Sequence, residues 1–320
     1  MSEYAEIIRK TFSKGDMERD KNNQIPEDVV RYTDIRYANH DEKWNLLDVY
    51  RPKDINGKLP VIMSVHGGGW VYGDKDVYQW YCMNLAQRGF AVVNYSYRLA
   101  PEYQYPASFE DTSTVAQWII DHCDEYGFDI DHIYGVGDSA GGHMLSLFAC
   151  ALTNPDYHVP YTLPEGFSFK AIALNCGIYE MKKETLGDTE KLMYDYLPEH
   201  GTEEEYYHIS SVHFITPNFP PTYVMTCPGD FAKDTPDVLI PVLKKNSVPF
   251  MYRVFGNQSN PLAHVFHCNI NLPEAKICND EECNFFKEFQ KCHVDYSWCN
   301  DAGQKSQHFT YIRNIPKKNV

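Results

Sequence analysis

From residue 59 onward the chain alternates between short continuous apolar runs and longer segments whose apolar residues recur at helical spacing. The runs cover residues 59–65, 90–95, 130–136, 170–176, 222–227 and 249–255. Runs of this length, bounded by turn residues, are expected of strands buried on both faces of a sheet. Between them, Val115, Trp118 and Ile119 share one helical face behind Pro106, and Leu145, Phe148, Ala149 and Leu152 fall at i, i+3, i+4 and i+7. Leu239, Val242 and Leu243 follow the helix start Thr235-Pro236, and a last helix carrying Phe285, Phe286 and Phe289 is expected from Asp280-Glu281. This alternation predicts an α/β fold: a mostly parallel central sheet with helices on both faces.

The remainder fits around that core. Extended stretches at 35–38 and 46–50, separated by the polar turn 39–43, predict an antiparallel hairpin. Residues 1–30 are polar and charged, with one amphipathic helix over 3–13. Residues 177–220 are aromatic, acidic and irregular. Residues 177–220 are expected to form an inserted cap over the strand ends, and residues 1–30 either an arm or a further part of that cap. No repeat or low-complexity linker interrupts the chain, so residues 1–320 are read as a single domain.

Composition narrows the function classes. A net charge of −15 and the absence of a basic cluster beyond Lys317-Lys318 argue against a nucleic-acid partner. The N-terminus carries neither a basic nor an apolar leader region, and no apolar run reaches membrane-spanning length. A cytoplasmic location away from membranes is expected. Of the ten cysteines, Cys82, Cys123, Cys150, Cys176 and Cys227 each stand alone among apolar residues, as reduced buried thiols do. Cys268, Cys278, Cys283, Cys292 and Cys299 lie closer together but form no CxxC pair, so no zinc site is expected there.

The candidate chemistry sits at the carboxyl ends of the predicted strands, where open α/β sheets bind ligands. Gly137-Asp138-Ser139-Ala140-Gly141 joins a strand to a helix and has the form of a nucleophile elbow. Its glycines allow strand and helix backbones to approach, and the helix N-terminus faces a developing negative charge. His66-Gly67-Gly68-Gly69-Trp70 follows another strand, and glycines there leave backbone amides uncovered. With the amide of Ala140, those of Gly68 and Gly69 are candidates for an oxyanion hole. A serine needs a base, and the base needs an orienting acid. Asp230 follows a strand and is preferred to Asp234, which is placed to cap the next helix. His264 follows the last strand and is preferred to His267. The order Ser139, Asp230, His264 is the one an α/β-hydrolase triad requires.

With these motifs the chain resembles the hormone-sensitive-lipase branch of the α/β-hydrolases, and is similar to small bacterial acetyl and feruloyl esterases. The resemblance runs from about residue 45 to about residue 292. It rests on the glycine loop at 66–70, Tyr97-Arg98-Leu99-Ala100-Pro101-Glu102 with Pro106 and Asp111, and the elbow at 137–142. It implies an α/β-hydrolase fold and serine carboxylesterase activity, with neither metal nor cofactor, on short-acyl esters, acetyl or feruloyl esters of carbohydrate or aromatic alcohols among them. Ser139, Asp230 and His264 would be catalytic, and Trp70 and Tyr72 would border the acyl pocket. Val265 departs from the glycine usual after the family's histidine, and residues 293–320 match no pattern. The expected partner is a small-molecule ester, with a homodimer as the candidate assembly. Two alternatives stay open: an amidase or arylformamidase on the same triad, and a non-catalytic hydrolase-like receptor for a small molecule.

Overall fold

The computed structural model describes residues 2–184 and 186–290; Cys292, Cys299 and the expectations for 293–320 lie outside the described residues. Eight strands form one sheet in the order β1-β2-β4-β3-β5-β6-β7-β8. These are β1 (Val29–Arg36), β2 (Leu46–Pro52), β3 (Leu59–Val65), β4 (Ala91–Tyr95), β5 (Phe128–Asp138), β6 (Ala171–Asn175), β7 (Thr222–Thr226) and β8 (Phe250–Val254). The first two form the expected hairpin, and β2 also runs antiparallel to β4. Every other neighbouring pair is parallel. All six predicted core strands are present, and the chain has an α/β-hydrolase fold.

The helices are α1 (Glu3–Asp20), α2 (Lys75–Ala86), α3 (Ala107–Asp121), α4 (Ala140–Thr153), α5 (Glu190–Tyr196), α6 (Glu203–His208), α7 (Pro236–Lys245) and α8 (Pro273–Glu288). None is long and apolar enough to cross a membrane among the described residues. Alternation along the strands divides the core between the two sheet faces. Val61, Met63 and Val65 of β3 join one apolar cluster, and Ile62 joins the other.

Three elements differ from the sequence reading. Helix α1 extends to Asp20, beyond the expected 3–13, and α8 begins at Pro273 instead of near Asp280. Proline fits the first helical turn because its missing N–H needs no partner there. Helix α2 was not predicted at all. Its side packed on the sheet is built largely from tyrosine, cysteine and methionine, namely Tyr78, Tyr81, Cys82 and Met83, which blurs the apolar period. The right-handed crossover between parallel β3 and β4 nevertheless requires such an element.

The second half of α8 carries a buried carboxyl. Glu282 is fully enclosed and accepts hydrogen bonds from Tyr81 Oη of α2 at 2.7 Å and Asn175 Nδ2 at the end of β6 at 2.6 Å. Burial pushes its pKa up from 4.5 to about 7. Between those values the folded chain keeps a proton that the unfolded chain has released. The stability this group contributes is therefore full below the unfolded pKa and is lost as pH rises through about 7. Glu282→Gln is expected to make the fall of Tm between about pH 5 and pH 8 shallower than in the wild type. An unchanged slope in a pH series of thermal melts would contradict this.

Candidate active site

The parallel strands end together at one rim. Ser139 occupies the turn from β5 into α4 with φ 52° and ψ −121°, a strained conformation for a non-glycine residue. Its amide donates to Asn175 O at 2.9 Å, which ties the turn to the end of β6. Glycine at 141 is a steric requirement, since a Cβ there would stand 2.0 Å from Val65 O at the end of β3. At Gly68, φ is 120° and a Cβ would meet Tyr72 O at 2.0 Å. The elbow and the glycine loop are thus pressed together backbone to backbone, as their composition predicts.

A tyrosine from α2 joins the two loops. The Tyr78 hydroxyl accepts from the Gly67 amide at 2.9 Å and donates to Asp138 Oδ2 at 2.7 Å. Burial raises the Asp138 carboxyl to about 7, against the opposing hydrogen bond from Tyr78 and the field of the His264 imidazole. His66 lies under the loop, stacked on Tyr97 at 4.0 Å, and burial lowers it to about 4. It is neutral at ordinary pH. Tyr97 donates to His66 O at 2.7 Å, so this motif tyrosine holds the loop from below. Arg98 engages Asp111 and Glu110, while Glu102 pairs with Arg9 of α1. These motif residues brace the rim.

Among the described residues, the amides of Gly68, Gly69 and Ala140 donate to no protein acceptor. Gly68 and Gly69 reach the surface and Ala140 opens α4. They form a set of backbone donors beside the Ser139 turn.

Asp230 and His264 meet directly. His264 Nδ1 lies 2.6 Å from Asp230 Oδ1, and the carboxylate also accepts from the Ala232 amide at 2.8 Å and from Thr226 Oγ1 at 2.9 Å. Asp230 is 2% exposed. Burial alone would raise its pKa, but the His264 imidazole and the two further donors outweigh it and hold the carboxyl below its ordinary value. With Asp230 ionised, its acceptor-only oxygen assigns the proton to Nδ1 and turns the Nε2 lone pair outward. The His264 side chain stays 18% exposed, and the exposed ring of Phe231 leans on it at 4.3 Å. No hydrogen bond joins Ser139 Oγ to the ring among the described residues. Asn175 O accepts the Ser139 amide, and the next residue, Cys176, has its Sγ within 4.8 Å of ligand atoms of both His264 and Asp230. Such contacts commonly tighten only around bound substrate.

The rival residues are placed elsewhere. His267 is fully buried, lowered to about 3 by burial, and packs edge-on to Tyr81. Asp234 is exposed, and α7 starts without a side-chain cap. Trp70 is 2% exposed; its Nε1 donates to His143 Nδ1 at 3.1 Å and its ring stacks on Tyr196. That is a packing role beneath the site, with no face turned to a ligand. Tyr72 donates to Asp16 of α1 at 2.9 Å and lines a cavity of about 480 Å³ with Arg9, Trp44, Glu102 and Tyr103. Neither Ser139, Asp230 nor His264 lines that cavity. Helix α5, within residues 177–220, does reach the site: a Cβ on Gly69 would meet Leu192 Cδ1 at 2.9 Å.

Sequence reasoning missed Tyr78, Phe231, Leu192 and the position of Cys176. Cys176 and Cys227 are free, buried thiols as expected; Cys176 Sγ donates to Met225 Sδ at 3.9 Å and Cys227 Sγ to Ala263 O at 3.2 Å, beside the His264–Asp230 pair. Parallel pairing of β6 with β7 brings their ends together, which linear spacing does not show.

Comparison with known proteins points the same way as the geometry. The family model BD-FAE matches residues 47–232, more than half of the chain. Versiconal hemiacetal acetate esterase of Dothistroma septosporum is 28% identical over 248 residues, covering 72% of this chain and 73% of that enzyme. Esterase LipC of Mycobacterium tuberculosis is 35% identical over 141 residues, which span 43% of this chain and 34% of LipC. Esterase B from Lactobacillus rhamnosis, in a structure with a tributyrin phosphonate inhibitor, aligns with a TM-score of 0.82 at 27% identity, covering 91% of this chain and 97% of that one.

Proposed function

Because the chain belongs to the BD-FAE family, in the hormone-sensitive-lipase branch of the α/β-hydrolase serine esterases, we propose that it cleaves short-acyl esters through Ser139, His264 and Asp230. The observation that carries this reading is the hydrogen bond between His264 and a buried, ionised Asp230, beside a serine held at positive φ. His264 Nε2 takes the Ser139 proton as Oγ attacks the ester carbonyl. The amides of Gly68, Gly69 and Ala140 donate to the carbonyl oxygen as it gains charge. The imidazolium, stabilised by Asp230, then protonates the departing alcohol. Water, deprotonated by the same nitrogen, attacks the acyl-enzyme, and Ser139 recovers its proton as the acid leaves.

Leu192 Cδ1 stands where even a Cβ on Gly69 would meet it at 2.9 Å, and this closeness of α5 to the glycine loop supports a small acyl group. Acetyl esters of carbohydrates and feruloyl esters are the substrate classes to test first. Across nitrophenyl esters from acetyl to decanoyl, kcat/KM is expected to peak between acetyl and butyryl, with acetylated xylan and methyl ferulate assayed alongside. A maximum at decanoyl would overturn the small-pocket reading. Faster turnover of a formanilide than of nitrophenyl acetate would replace the esterase reading by an amidase one.

A further inference from the structure

The thiol of Cys176 has no part in that chemistry, yet it stands against the base. Cys176 is the first residue after β6, with φ 50° and its amide donating to Met225 O at 2.8 Å. It is 2% exposed. One ligand atom from each of Cys176, Asp230 and His264 lies within 4.8 Å of the others. A thiol, a carboxylate and an imidazole are together the donor set of zinc and its softer relatives. The ligand atoms of a tetrahedral zinc ion bound at about 2.0–2.3 Å lie closer than this limit to one another, so closure asks for small side-chain rotations only. His264 is the partly exposed member and gives an ion its way in. A chain of net charge −15 attracts cations.

We propose that Cys176, Asp230 and His264 form a binding site for a soft divalent cation, zinc or cadmium, and that occupancy switches the hydrolase off. On binding, Cys176 releases its thiol proton to solvent and Asp230 contributes a carboxylate oxygen. His264 gives the metal its one lone pair. A neutral imidazole has a single unprotonated nitrogen, so whichever nitrogen the metal takes, none is left to accept the Ser139 proton. Inhibition thus rests on the proposed triad, whereas metal binding does not.

The full-length protein is titrated with zinc, cadmium or magnesium in chelator-free buffer while nitrophenyl acetate turnover is followed. Zinc and cadmium should inhibit reversibly, with activity restored by EDTA, and magnesium at the same concentrations should not. Cys176→Ser should keep its basal activity and need at least about tenfold more zinc, since loss of even outer-shell support costs that much affinity. In parallel, cobalt is added as a spectroscopic probe, with a thiolate-to-cobalt band expected in the wild type and absent from Cys176→Ser. Equal zinc sensitivity in both proteins overturns the site. So does equal inhibition by magnesium, which needs no variant. A cobalt band lost in Cys176→Ser from a protein without esterase activity would keep the site and refute the proposed function instead.

Discussion

Ser139→Ala is expected to lower kcat/KM for nitrophenyl acetate by about 10⁴-fold or more, leaving only what binding and the backbone donors contribute. Oγ is the group that forms the acyl-enzyme, and nothing else at the rim replaces it. The nearby thiol of Cys176 is buried, and its backbone amide is held by Met225 O. The substitution keeps the fold, because the turn at φ 52° is imposed by the approach of α4 to β3 and not by the hydroxyl. Circular dichroism and Tm should match the wild type. Retention of a tenth of the activity by a folded Ser139→Ala protein would sink the assignment.

The second large effect is at Asp230, and two substitutions separate its roles. Oδ1 receives both His264 Nδ1 and the Ala232 amide, while Oδ2 receives the Thr226 hydroxyl. In Asp230→Asn the amide nitrogen fits only on the Oδ2 side, because the Thr226 hydroxyl can turn to accept while the Ala232 N–H cannot. The side-chain carbonyl then still receives Nδ1–H, so the tautomer survives and only the negative charge is lost. Asp230→Ala removes both charge and orientation. Loss of about 10⁴-fold in kcat is expected for alanine, and about a hundredfold less severe damage for asparagine. Equal losses in the two variants would show that the ring turns over in Asp230→Asn.

Much of this was legible in the chain because the physics is local. The six buried strands announce themselves as apolar runs, and the glycines at 68, 137 and 141 are dictated by backbone contacts within each motif or between two strand ends. What stayed hidden depends on pairing. Tyr78 becomes a strut between two loops only because α2 crosses from β3 to β4, and its tyrosines carry the inward face without a clear apolar period. Glu282 looks like one charge of an acidic helix, and only α8 packing over Tyr81 and Asn175 makes it a buried acceptor. Val265 adopts φ 52°, the left-handed region where glycine is usual, which gives a physical reason for the family's residue and a strain for this chain's. Leu192 reaches Gly69 from a short helix in the irregular stretch 177–220, whose path no periodicity reveals.

Everything turns on Ser139 and His264 working as one unit, and covalent labelling by a fluorophosphonate reads that directly. The wild type should gain one adduct, mapped by peptide mass spectrometry to Ser139, and His264→Ala should slow its formation by about 10³-fold or more. An adduct on another residue, or the same labelling rate without the imidazole, would contradict the account.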